Sequence, residues 1–186
     1  MWVSVVLGTA GMTARLPERE VLTAGRWVES GPSRETGTGT GTGAPRHLLL
    51  CDIASAVRPA ADGADRCWTG IQLGGGPVLA PEGARGLLLN HMDIDVAHED
   101  EFNDWYDTEH LPRIAGVEGV IAARRFRSDT DSPRYLATYH LRDLDVIGGD
   151  AWKSAASTPW TARMRRHRTG LIRLGFVAPG TLASPG

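Results

Sequence analysis

The chain of 186 residues is short of cysteine, nearly devoid of lysine and free of long apolar runs. Two cysteines, Cys51 and Cys67, are too few for a disulfide framework, and their spacing matches no zinc pattern. Reduced thiols and a cytoplasmic location are the expectation. Nothing approaches the ~20 apolar residues that span a bilayer. The start, Met1 to Gly8, is apolar but short and lacks a charged leader, so neither export nor membrane association is expected. A net charge of −2, from 20 basic and 22 acidic residues, leaves no broad cationic surface for nucleic acid. Local arginine clusters at 124, 125 and 127, and at 163, 165, 166 and 168, read as solvated faces. Several motifs are missing as well. There is no Walker loop, no dinucleotide fingerprint, no GxSxG elbow and no HxH or HExxH spacing, and no metal is expected.

What is present is concentrated in one run, Glu101-Phe102-Asn103-Asp104-Trp105-Tyr106-Asp107-Thr108-Glu109-His110-Leu111-Pro112. Phe102, Tyr106 and His110 recur at i, i+4 and i+8 with Trp105 beside them, so they line one stripe of a helix. Asp95 or Ala97 opens it, acidic residues 99–101 suit its positive end, and Pro112 is expected to end it at Leu111. An imidazole on such a stripe is either a satisfied core histidine or the centre of a pocket.

Around this helix the C-terminal half reads as a strand over 87–94, strands over 116–127 and 133–142 joined by a hairpin, helical pieces over 150–156 and 160–168, and a strand over 170–177. The order β-α-β-β-α-β is the ferredoxin-like plan, an α+β class. The first half echoes it: residues 21–27 parallel 120–126, residues 45–49 parallel 133–137, and Trp68 parallels Trp152. Its opening strand and histidine-bearing helix are not recognisable. The expected organisation is a shortened half over 1–80, a complete half over 81–180 and a tail over 181–186. The Gly-Thr alternation of 37–43 and the Gly/Pro-rich stretch of 74–86 read as loops.

The run 101–112 resembles the signature of EthD-like proteins of the dimeric α/β-barrel superfamily. Residues 123–126, 133–139 and 158–161 support the resemblance. It implies two four-stranded sheets meeting in a barrel, with a pocket between sheet and helices in each half. Because the first half lacks the helix motif, one pocket at most is expected to carry the histidine. The superfamily holds cofactor-free monooxygenases, cyclases, isomerases, some haem enzymes and ligand-sensing modules, so fold does not settle function.

His110 is the candidate general base or acid, since its ordinary pKa lies near neutrality. Asp107, three residues earlier, is the candidate orienter. Tyr139 would stabilise a developing oxyanion. His91, Trp105, Tyr106, Tyr135 and Arg124 are candidate substrate contacts. Alternation leaves open whether His91 or its neighbour Asn90 faces the cavity, and whether Arg124 or Arg125 does. The expected function is cofactor-independent acid/base chemistry on a small aromatic or polyketide-like molecule: cyclisation, isomerisation, lyase-type cleavage or oxygen insertion. Non-catalytic binding or assembly is the alternative, and haem binding a third. The expected assembly is a homodimer.

Overall fold

Every residue of the strand Tyr135–Leu141 is buried, whereas Val21–Glu29 alternates between covered and exposed positions. The first pattern needs cover on both faces and the second on one. The computed structural model, which describes residues 1–30, 34–35, 46–74 and 77–179, accounts for both. Its strands are β1 (Trp2–Arg15), β2 (Val21–Glu29), β3 (Arg34–Glu35), β4 (His47–Ile53), β5 (Ala60–Leu73), β6 (Gly86–Ile94), β7 (Val120–Arg127), β8 (Tyr135–Leu141) and β9 (Arg168–Val177). They run in the order β2-β4-β1-β5-β7-β8-β6-β9, and β2 pairs again with β9, so eight strands close into an antiparallel barrel. The short strand β3 pairs with β9 alongside.

Each half supplies four barrel strands in the same spatial order: second, third, first, fourth. Residues 21–27 and 120–126 fall on the second strand of their halves, and residues 47–49 and 135–137 on the third. Besides the β3–β9 pairing, two short seams within the barrel join the halves, Ile71–Leu73 against Arg125–Arg127 and Val28–Glu29 against Phe176–Val177. The Trp68 indole crosses the first seam, donating to the Pro133 carbonyl at 2.8 Å.

The barrel interior is a core of Val3, Val5, Leu48, Leu50, Leu87, Leu89, Phe126, Leu136, Leu174 and Phe176, drawn from both halves. Among the described residues, α-helices cover the outer face of the second half and not of the first. They are α1 (Glu99–Trp105), α2 (Leu111–Ala115), α3 (Asp150–Ala155) and α4 (Pro159–Met164). Beneath them lies a second core that includes Met92, Phe102, Tyr106, Ile114, Tyr139 and Trp152.

The first half differs from expectation. Its opening strand is present as β1, and its described residues hold no α-helix, only the 3₁₀ turn Glu18–Glu20. Trp2 and Val21 both pair with Ile53, so after running the length of the sheet the chain must return to its starting end. It does so as an extended ribbon, Thr13–Arg15 paired with Ala60–Asp62. Met12, Ala14, Leu16, Ala61 and Ala64 pack on the outward-facing Val6, Leu49, Cys51 and Ile53. The ribbon turns back at glycines: Gly11 and Gly63 take positive φ, and a Cβ on Gly8 would sit 2.6 Å from the Gly63 carbonyl. An alternating strand pattern hides this doubling back, because both layers are extended.

Two further expectations change. Trp68 lies on β5 inside the barrel and Trp152 on α3, so the two are not equivalent. The helix does not stop at Leu111. A π turn, Tyr106–His110, intervenes, in which Leu111 donates five residues back to Tyr106, and α2 continues through Pro112 to Ala115. The wider turn accommodates a ring that a regular α turn excludes. The Gly-Thr loop of 37–43 and the tail of 181–186 lie outside the described residues.

Candidate active site

Between the sheet and the helices of the second half is a cavity of about 50 Å³. The π turn carries His110 onto its wall, with Trp105 and Tyr106 from the same helical segment and Tyr139 from β8. Trp105 stacks on the imidazole with centroids 4.4 Å apart, and Tyr106 meets it edge-on at 5.1 Å. The expected stripe of Phe102, Tyr106 and His110 is buried throughout. Its residues diverge in role, since Phe102 packs the core while His110 meets the cavity.

His110 forms no hydrogen bond among the described residues, and its Nδ1 is buried without a partner. Burial first, then Arg165, Arg125, Arg168 and Arg173, push its pKa down to about 3. The ring is therefore neutral at physiological pH, with one donor and one acceptor available. The Tyr139 hydroxyl is also buried. Burial raises its pKa well above the usual phenol value, and the hydroxyl of Tyr106 adds to the shift without reaching hydrogen-bond geometry. Tyr106 itself points its hydroxyl at the Met92 sulfur, 3.8 Å away.

The remaining wall was not expected. Arg165 follows α4, Arg168 and Arg173 belong to β9, and all three line the cavity. Arg173 donates to Asn90 Oδ1 at 3.3 Å, and Arg165 to the Ala156 carbonyl at 3.1 Å. No Asp or Glu lines this cavity among the described residues. A space lined by cations, a neutral imidazole and a phenol favours negative charge on oxygen. For Arg165 and Arg168 the signal was the arginine cluster leading into the last strand, read from the sequence as solvent-facing; Arg173 was not singled out.

Four of the sequence candidates lie elsewhere. Asp107 does not orient His110. Its carboxylate faces Arg125 at 3.4 Å, because a π turn rotates less per residue and takes positions three apart off a common face. Arg125 reaches back from β7, donates to Asn103 at 2.6 Å, and lies 4.3–4.9 Å from the ring centroids of Tyr106, Phe102 and Tyr135. Tyr135 donates to Glu99, which also receives Arg134, and so anchors the start of α1 rather than lining the cavity. His91 and Arg124 point through the sheet into the barrel. Arg124 pairs with Asp52, and His91 lies beside Trp68 at 5.2 Å. Asn90 and Met92 are the residues of β6 that meet the cavity.

The imidazoles of His91, His110 and His140 therefore do not converge. His140 also lies in the barrel, edge-on to Trp27. A different trio, Asp95, His98 and His167, offers ligand atoms within 4.8 Å of one another. The two rings of that trio stack 3.5 Å apart and nearly parallel, however. Imidazole lone pairs lie in the ring plane, so parallel rings aim poorly at one ion.

Helix α4, whose Thr161 lines the cavity, is tied to α1 and the π turn. Trp160 and Arg163 of α4 bind Glu101 at 3.1 and 2.9 Å, and Thr158 binds Glu109 at 2.5 Å. These ties are part-buried or exposed polar contacts, which break at modest cost.

No family model and no curated relative matches the sequence. Solved structures match in fold. A candidate monooxygenase from Fusobacterium nucleatum subsp. nucleatum aligns over 100% of this chain and 97% of its own, with a TM-score of 0.57 and 8% identity. A dimeric chlorite dismutase from Nitrobacter winogradskyi aligns over 94% of this chain and 99% of its own, with a TM-score of 0.50 and 8% identity. At that identity the likeness is one of fold, the ferredoxin-like α/β barrel, and the likeness to EthD-like proteins remains one of sequence motif. No helix among the described residues is long and apolar enough to cross a membrane.

Proposed function

We propose that this chain is an enzyme that moves a proton on a small molecule bearing, or developing, negative charge on oxygen. The observation that carries the reading is a buried imidazole without hydrogen bonds on a cavity walled by three arginines and no carboxylate. In this reading a C–H bond next to a carbonyl gives its proton to a ring nitrogen of His110. The electron pair moves to the carbonyl oxygen, where Arg168, Arg173 and the Tyr139 hydroxyl stabilise the enolate. Return of the proton at another atom completes an isomerisation, and attack by the enolate carbon on an internal electrophile completes a cyclisation. An imidazole with a pKa of about 3 is a weak base. A bound anion offsets the arginine field and lifts that value, so basicity arrives with the substrate.

The closed cavity is smaller than the ~150 Å³ that holds benzene. A ring-bearing substrate thus requires α3 and α4 to move outward, whereas a compact anion requires less. A haem macrocycle does not fit: the space is about 50 Å³, and Trp105 covers one face of His110. No step is assigned to haem, and the proposed chemistry needs no organic cofactor.

Within the same reading, the half over 1–80, whose described residues hold no α-helix, is a counterpart of the half over 81–180 that carries no proton-transfer site. The assembly is a homodimer: the chlorite dismutase is described as dimeric, and the outer face of the first half, with Leu22 49% exposed, has no α-helix over it among the described residues. Light scattering showing only monomer at micromolar concentration overturns that part.

Non-catalytic capture of a small anion is the second reading, favoured by the depressed basicity of His110. Incubation of a metabolite extract with the wild type and with His110→Ala, followed by untargeted mass spectrometry, separates the two. A compound consumed by the wild type and spared by at least ~10²-fold in the variant supports catalysis. A compound retained equally by both and left unchanged makes the chain a binding module. Consumption within about threefold in both removes His110 from the chemistry.

A further inference from the structure

A larger cavity, about 280 Å³, lies inside the barrel on the opposite side of the sheet from His110. Val5, Leu7 and Leu48 form one wall and Leu89, Ile172 and Leu174 the other, so both halves of the chain enclose it. Toward the other end the barrel is filled by the buried Arg124–Asp52 pair. At the open end stands His91. It is 2% exposed, it lines the cavity, and neither of its ring nitrogens has a hydrogen-bond partner among the described residues. Buried polar groups of this kind are nearly always satisfied, so a donor and an acceptor aimed into an apolar chamber mark a place for a ligand's polar end.

The charges at the mouth indicate what that end carries. Arg46 is held by Glu29 through contacts of 3.1 Å. Arg66 spends one nitrogen on the Ser132 carbonyl at 3.2 Å. The rest of its guanidinium makes no hydrogen bond among the described residues, and it lies close enough to disfavour a proton on His91. Asp131 also acts on His91, favouring its proton less than Arg66 disfavours it, and is held by Arg58 at 2.6 Å. Among the described residues Asp65 is the one carboxylate that lines the cavity. It is the extra residue of a bulge, since Leu7 pairs with Arg66 and Gly8 with Ala64, and it is solvent-exposed, where water screens its charge. The half-buried cation therefore dominates the entrance.

We propose that the barrel interior is a second ligand site, for a small, largely hydrocarbon carboxylic acid whose carboxylate sits between His91 and Arg66 and whose body fills the valine- and leucine-lined chamber. A cavity of about 150 Å³ accepts benzene, so this one accepts a bicyclic ring or a chain of comparable bulk. The site is independent of the helix-side cavity. Its residues belong to β1, β4, β5, β6 and β9, and none of them contacts His110.

Calorimetric titration of the full chain with 2-naphthoate, and with 2-naphthamide as the uncharged isostere, tests this. The expected result is one 2-naphthoate per chain with micromolar affinity and the amide at least tenfold weaker. Arg66→Met, at the half-exposed rim where folding is not at stake, and His91→Leu should each weaken the acid at least tenfold. Leu174→Phe should block it by filling the chamber. Near-UV circular dichroism checks that the last two variants retain the packed core. Absence of binding at millimolar acid overturns the proposal, as does affinity unchanged by Arg66→Met and Leu174→Phe. Equal affinity for the amide overturns the carboxylate assignment. Binding that falls with His110→Ala and not with Arg66→Met places the acid in the helix-side cavity and overturns the second site.

Discussion

Arg124 donates to Asp52 at 2.6 Å in the barrel interior, with both side chains fully buried and the two residues 72 positions apart in sequence. The Thr23 hydroxyl and the Ala80 amide also donate to Asp52, at 2.7 and 2.5 Å. One carboxylate thus gathers β2, β4, β7 and the segment after β5 around a single buried charge. Pairing makes the charge tolerable; removing one member leaves the other uncompensated.

Asp52→Asn should therefore lower unfolding stability by about 3–5 kcal/mol, read from urea denaturation. The double variant Asp52→Leu/Arg124→Met should recover much of the loss, since neither charge then remains. A loss below about 1 kcal/mol in the single variant would show that the pair does not hold the halves together.

Acid should destabilise this fold earlier than carboxylate titration alone predicts. His91, His110 and His140 each have a folded pKa of about 3 against 6.5 for the free side chain, chiefly through burial. Between those values the unfolded chain binds protons that the folded chain refuses. The stability contributed by the neutral forms is complete above pH 6.5 and is lost as pH falls toward 3. Each histidine adds up to about 1.4 kcal/mol per pH unit to the slope within that window. His140→Phe should flatten the urea-midpoint profile between pH 6.5 and 5 by about one proton. An unchanged slope would place His140 in solvent contact.

Arg125 is the keystone of the π turn, lying over three rings while bound to Asn103 and Asp107. Arg125→Met should cost about 2 kcal/mol or more and speed hydrogen exchange across residues 103–110. Asp107→Asn should change turnover by less than about threefold, because the carboxylate meets Arg125 and not His110. A loss approaching ~10²-fold would restore Asp107 as a partner of the base.

The second half was legible because its helices and strands differ in hydrophobic period, and the burial of Phe102, Trp105, Tyr106 and His110 followed from spacing alone. The ribbon over the first half was not legible, since residues 9–15 and 60–65 keep an extended pattern whether they lie in the barrel or fold back across it. The side of the sheet that His91, Arg124 and Arg125 face was equally hidden: β6, β7 and β8 are covered on both faces, so polar residues occur on either. The π turn left no mark in composition, and with it went the expected Asp107–His110 contact. Arg165 and Arg168 looked like surface charge because only the packing of α4 over the sheet turns them inward, and Arg173, apart from that cluster, gave no signal at all.

The most direct test of the account is a ¹⁵N NMR titration of the histidine side chains, with His110 assigned by difference from His110→Ala. In dilute buffer the His110 ring should remain neutral down to about pH 4 or lower, consistent with a pKa of about 3. Addition of sulfate, which stays anionic across this range, should raise that pKa, because an anion among Arg165, Arg168 and Arg173 offsets the arginine contribution while burial remains. A His110 that titrates near its ordinary 6.5 in both conditions would contradict the account, placing the ring in solvent contact and leaving the arginine-lined cavity without its base.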